Sequence, residues 1–138
     1  METLTAYHDD AAIKTKYLDR VKAHARADRL IQGTGWENGK GCAVGCTLEA
    51  YDHDRYEKEL GIPWRSAVLE DVIFEALPKA EAMEWPAKFL EAIKPGADLS
   101  LIAPRFMLWM LTDPEDGVIR FAKGDGEKAI RQVAALWE

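Results

Sequence analysis

Apolar residues recur at helical spacing along most of this chain. Ile13, Tyr17, Val21, His24 and Ala25 mark one face, with Lys22, Arg26 and Arg29 on another, and neither glycine nor proline interrupts the run as far as Ile31. Asp9 or Asp10 suits the cap of this first helix and Gly33 its stop. A second helix is expected to begin near Gly41 or Cys42 and to pass through Val44 and Leu48 to about Tyr51. Asp54 and Glu57 have capping-box spacing for a short helix that Gly61 ends. Pro63 opens the next, whose stripe of Leu69, Val72, Ile73, Ala76 and Leu77 predicts its buried face, and Pro78 closes it.

Ala80 to Trp85 reads as one short helix, and Pro86 as the start of another through Phe89, Leu90 and Ile93 to Pro95-Gly96. Asp98 suits the following cap. Phe106 to Leu111 is apolar at every position, which predicts a buried central helix, with a buried strand as the alternative. Asp113-Pro114 opens a short segment through Val118, Ile119 and Phe121, and Gly124-Asp125-Gly126 reads as a loop. Ile130, Val133, Ala134 and Trp137 mark a terminal amphipathic helix. The sum predicts an all-α fold. It is a compact single domain over residues 1–138, a bundle of about seven helices, several short, with a glycine-rich loop between helices one and two.

Composition narrows the class. With 48% hydrophobic and 30% charged residues among 138, the chain is neither disordered nor fibrous. A net charge of −6 argues against non-specific nucleic-acid binding, which needs surplus lysine and arginine. The charge is uneven, because Lys14 to Arg29 holds six basic residues against Asp19 and Asp28. That run is either a solvated helix face or a site for an acidic partner. Two cysteines do not make a disulfide scaffold, and the first ten residues lack a signal-peptide pattern. No apolar run approaches the roughly 20 residues of a membrane span. The expected setting is cytoplasmic, without a membrane.

The stretch from Gly33 to Cys46 holds five of the ten glycines and both cysteines. It supports three functional readings. In the first, glycine amides and the helix start hold an anion, with Lys40 adding charge and Trp36 an apolar contact, so Trp36, Gly39, Lys40 and Gly41 form the ligand site. The pattern is not a P-loop, since Gly41 stands where a hydroxyl is required, nor a dinucleotide fingerprint, since Val44 stands where the third glycine belongs. In the second, Cys42 at a helix N-terminus is a low-pKa nucleophile and Cys46, one turn on, resolves it. The Cys-x-x-Cys spacing of helical carboxymuconolactone decarboxylase-class proteins is absent, because three residues separate the pair. In the third, Cys42 and Cys46 ligate a metal from one helical face, with His53, His24 or His8 completing the set. Against all three stands plain packing, in which the thiols act as small hydrophobes. His53 beside Asp54 has the make-up of a general base with its orienting carboxylate, although Asp54 also suits a cap. Glu70-Asp71, like other neighbouring acids, carries no specific signal.

Leu30-Ile-Gln-Gly-Thr-Gly-Trp36, Gly39-Lys-Gly-Cys-Ala-Val-Gly-Cys-Thr-Leu48 and Tyr56-Glu-Lys-Glu-Leu-Gly-Ile-Pro63 together resemble a group of small bacterial and phage-encoded proteins of unknown function. The likeness continues through Leu69 to Pro78 and Gly96 to Ser100. It implies one bacterial or phage module and no mechanism. The expectation is therefore a binding module that takes a protein partner or a small anionic ligand at the Gly33–Cys46 loop, with no cofactor implied. A cysteine-dependent redox enzyme or sensor on Cys42 and Cys46, or a small metal site on the same residues, is the alternative.

Overall fold

Asp10 starts the first helix by accepting the Ala12 amide at 2.8 Å, and α1 runs Ala11–Arg26. Its buried residues are Tyr17, Val21 and His24, the predicted stripe. A computed structural model of the chain describes residues 3–138. Before α1, the turn Ala6–Asp9 is left-handed at Tyr7, His8 and Asp9, with φ of 54°, 51° and 57°. L-residues resist that conformation, and buried Tyr7 holds it by donating its hydroxyl to the Leu90 carbonyl at 2.6 Å.

Helix α1 ends before the predicted Ile31. Asp28 turns left-handed at φ 56°, and Leu30 bridges to Gly41, so the chain is already pairing with the loop. The loop contains a small antiparallel hairpin, β1 (Trp36–Glu37) and β2 (Lys40–Gly41), with Trp36 opposite Gly41. Then follow α2 (Ala43–Leu48), α3 (Asp54–Leu60), α4 (Trp64–Ala76), α5 (Lys79–Ala92), α6 (Ile102–Thr112) and α7 (Asp125–Ala135). Seven α-helices and one two-stranded hairpin among the described residues make the fold all-α, as predicted. None of these helices is long and apolar enough to cross a membrane.

The chain divides into two compact units, one ending at Leu99 and the other Ser100–Glu138. In the first, α1 packs on α5 and α2, and α4 packs on α2, α3 and α5. Part of the basic run ties these helices together. Lys14 donates to the Glu91 and Ile93 carbonyls at 2.7 and 2.8 Å, and Arg20 to the Thr47 carbonyl at 3.0 Å. Carbonyls at helix C-termini have no partner within the helix and favour a positive charge, so these two side chains act as caps supplied by α1.

Three predicted helix signals act differently. Asp54 is not a cap: His53 holds that position without a side-chain bond, and Asp52 accepts the Asp54 amide at 3.1 Å. Glu57 reaches forward to the Trp64 amide at 3.0 Å, a free donor at the start of α4. Pro86 does not begin a helix but lies buried inside continuous α5, where core packing by Ala82 and Leu90 on either side outweighs the lost amide. The largest departure is in α4. Its buried face is Ser66, Ala67, Glu70, Asp71 and Phe74, while Val72 of the predicted stripe is exposed.

In the second unit α6 packs on α7 and on a 3-10 turn, Val118–Phe121. The predicted central helix is not central: no residue of α6 is fully buried, and Trp109 and Met110 are exposed. A unit this small has too little chain to cover an apolar helix on every side. Helix α6 follows Leu101 rather than an Asp98 cap, and α7 begins at Asp125, inside the predicted loop. Asp113 does act as a cap, accepting the Glu115 and Asp116 amides at 2.9 Å each.

Candidate functional site: a cleft beside the glycine loop

The glycines of the loop serve close backbone approach. The Gly35 carbonyl accepts the Cys42 amide at 3.0 Å, and a Cβ on either Gly41 or Gly45 would collide with that same carbonyl. A Cβ on Gly35 would strike the Tyr51 ring, at 2.5 Å. Three glycines thus stack the loop, the hairpin and α2 at distances no side chain allows. The loop is also fastened to α4. Gln32 donates to the Phe74 and Leu77 carbonyls at 2.8 and 2.9 Å, and the Gly33 amide donates to Glu75 at 2.9 Å.

The start of α2 is closed by the protein's own groups. Cys42 is the cap, with its Sγ accepting the Gly45 amide at 3.4 Å, and the Val44 amide donates to Asp71 Oδ1 at 3.1 Å. Asp71 therefore occupies the place the anion reading gave to a ligand. Its other oxygen, Oδ2, lies 2.8 Å from His53 Nε2, and Tyr51 meets the His53 ring edge-on at 5.0 Å. The carboxylate that orients His53 is Asp71 from α4, not the neighbouring Asp54.

Between loop and α4 lies a cleft of about 620 Å³. Its chemistry comes from Cys42, Tyr51, His53, Asp71 and Glu75, and its remaining wall from the Gly33–Gly35 backbone and apolar α4 side chains. Cys42 and His53 thus stand where ligand chemistry is possible. The four residues expected to bind an anion stand elsewhere. Trp36 packs edge-on against His24 at 5.6 Å, Gly39 and exposed Lys40 belong to the hairpin, and Gly41 is buried under Gly35. The Gly41 amide is bonded to the Arg29 carbonyl at 3.0 Å and points to no ligand.

Both thiols are held protonated. Burial raises Cys42 far above the ordinary thiol value, and the Asp71 carboxylate beside it adds to the rise. Cys46 is pushed up to about 12, chiefly by burial, and its Sγ donates to the Arg29 and Gly41 carbonyls, both at 3.4 Å. The dipole of a six-residue helix does not offset this desolvation, because its start is enclosed and faces an acid. Among the described residues, no three of His, Cys, Asp and Glu are gathered as a metal would need, so Cys42, Cys46 and His53 are not brought together as a ligand set.

Glu70 and Asp71 are the side chains of this region that the sequence reading passed over. Being neighbours, they leave α4 in different directions. Asp71 faces the cleft, while Glu70 is fully buried and accepts the Tyr56 hydroxyl at 2.7 Å through Oε2. Burial lifts the Glu70 carboxyl well above its ordinary 4.5, favouring its neutral form. The available signal was their spacing with Ser66, Ala67 and Phe74 on one helical face. Their partners, Tyr56, His53 and the Val44 amide, lie on other elements and leave no mark in that spacing. The chain matches no protein-family model, no curated protein and no solved structure.

Proposed function

We propose that this protein is a non-catalytic binding module whose cleft takes the basic side chain of a protein partner. One observation carries the reading: the charged groups lining the cleft are the carboxylates of Asp71 and Glu75, without a lysine or arginine among the described residues there. Tyr51, 58% exposed, adds an aromatic face that attracts cations. The net charge of −6 steers a basic partner toward the molecule. The same charges remove support from a small anionic ligand, and the loop amides that would have held one are bonded internally.

Magnitudes decide between a small amine and a protein. An exposed ion pair contributes about 0.2–1 kcal/mol and a cation–π contact about 0.5–1 kcal/mol. Their sum falls short of the roughly 4 kcal/mol of even millimolar affinity. A partner that covers more surface is needed, and the cleft supplies selectivity for its basic group. The test compares N-acetyl-arginine amide with its neutral citrulline counterpart in NMR titrations. The arginine compound should shift the Tyr51 and His53 signals, reversibly with salt, and Glu75→Gln should weaken it by up to about fivefold. Equal shifts from both compounds would sink the reading.

The cysteine-dependent alternative rests on one observation, that Cys42 shares the cleft with the His53–Asp71 pair. It requires a thiolate that burial and Asp71 both oppose. Rapid alkylation of Cys42 in the native protein near neutral pH would favour it over the binding module.

A further inference from the structure

Two rows of α4 border the cleft, Asp71 and Glu75 in one and Val68, Val72 and Ala76 in the other. Residues three and four apart are neighbours on a helix, so Glu75 stands beside Val72. Val72 and Ala76 are apolar and exposed. The two acids are not equivalent. Both oxygens of buried Asp71 already accept, one from the Val44 amide and the other from His53. Exposed Glu75 is fixed through Oε2 by the Gly33 amide, and its Oε1 has no partner among the described residues. Tyr51 is held against Gly35, where a Cβ would stand 2.5, 2.7 and 2.9 Å from three ring atoms. Burial first, then the Asp71 charge and more weakly that of Glu75, raise the Tyr51 hydroxyl above its ordinary 10, as acids close to the ring would.

We infer, resting on the reading of this cleft as a site for a partner's basic group, that the group is the guanidinium of an arginine. Its stem lies along Val72 and Ala76, its plane on the Tyr51 ring and its edge toward Glu75. A methylene stem suits the apolar row, because arginine and lysine bury their stems on apolar surface while the charged head stays polar. The head decides between the two. A lysine ammonium is a compact, strongly hydrated charge with three donors, and between the two acids it finds one unengaged oxygen, Glu75 Oε1. A guanidinium is planar and more weakly hydrated, stacks on aromatic faces and carries its donors along its edges. One fixed carboxylate beside one exposed ring matches that shape. Asp71 adds negative charge while its oxygens stay with Val44 and His53.

The test adds N-acetyl-lysine amide to the arginine and citrulline compounds, each titrated into the full chain and followed by NMR. The arginine compound should bind about two- to fivefold more tightly than the lysine compound, the range a cation–π contact supports, and lysine should still exceed citrulline. The side-chain protons of arginine should move upfield as they meet the Tyr51 ring. Tyr51→Leu should bring the arginine and lysine affinities together, with helical content by circular dichroism unchanged. Lysine equal to arginine, with both above citrulline, would overturn the choice of arginine and leave the cleft a cation site. Citrulline equal to arginine would remove the cation site itself. Arginine protons that do not move in the wild-type titration, or a preference that survives Tyr51→Leu, would overturn the stacking on Tyr51.

Discussion

Phe74 and Phe121 are the same side chain in opposite circumstances. Phe74 on α4 is wholly enclosed, whereas Phe121 in the second unit is 75% exposed, with Arg120 lying over its ring at 4.5 Å. The contrast extends to their helices. Helix α4 buries two acids among its five buried residues, while the far more apolar α6 buries none. The apolar character of a segment therefore does not set its burial in this molecule. What sets it is how much other chain surrounds the segment, and the first unit gathers five α-helices where the second has two.

Substitutions can break or sharpen that contrast. The largest effect should come from Phe74→Ala, at about 3–5 kcal/mol of lost stability, measured by urea unfolding. A loss under about 1 kcal/mol would mean the first unit is as loosely packed as the second. Next is Gly45→Ala, where the new methyl meets the Gly35 carbonyl; overpacking of this kind costs about 1–3 kcal/mol and should also disturb the Cys42 amide signal.

Glu70→Gln tests the buried acid. The folded-state pKa of Glu70 is raised, so its stability contribution is fully present below the ordinary 4.5 and is lost as pH rises toward the folded value. The glutamine keeps an acceptor for Tyr56 and has no proton to lose. The variant should therefore melt higher than wild type at pH 8, with the gain vanishing as pH falls toward 4.5. A gain independent of pH would show that Glu70 is not neutral when folded. The smallest effect belongs to Phe121→Ala, within about 0.5 kcal/mol by the same urea unfolding.

Much of the helical framework was legible, because helical spacing and turn residues act locally. The stripe of α1, the Asp10 cap, the left-handed Gly61 stop and the Pro63 opening can each be read from a few adjacent residues. The candidate site was legible only in part. Its loop stood out through the glycines, and Cys42 and His53 were singled out. Asp71 was not, since a carboxylate becomes a helix cap and a histidine partner only through residues 27 and 18 positions away. For α4 the predicted stripe was not the buried face, and Val72 and Ala76 are exposed, for the same reason: hydrogen bonds to distant groups stabilise the acids inside, and side-chain periodicity carries no trace of them. Phe106 to Leu111 misled in the other direction, because an apolar run says that burial is favourable without supplying the chain that would provide it.

The bond from the Val44 amide to Asp71 makes two distant stretches of the chain hold or loosen together. Helix α2 has six residues, too few to persist in water by itself, and beside its own Cys42 cap it relies on Asp71 of α4 to accept the Val44 amide. The glycine loop in turn is tied to the end of that same helix through Gln32 and Gly33. Loop and α2 therefore share their dependence on α4, and a substitution that removes the Asp71 carboxylate is expected to loosen both. The enclosed amides of Val44 and Cys46 should accordingly exchange hydrogen far more slowly than those of exposed Glu37 and Lys40 in the same glycine-rich stretch.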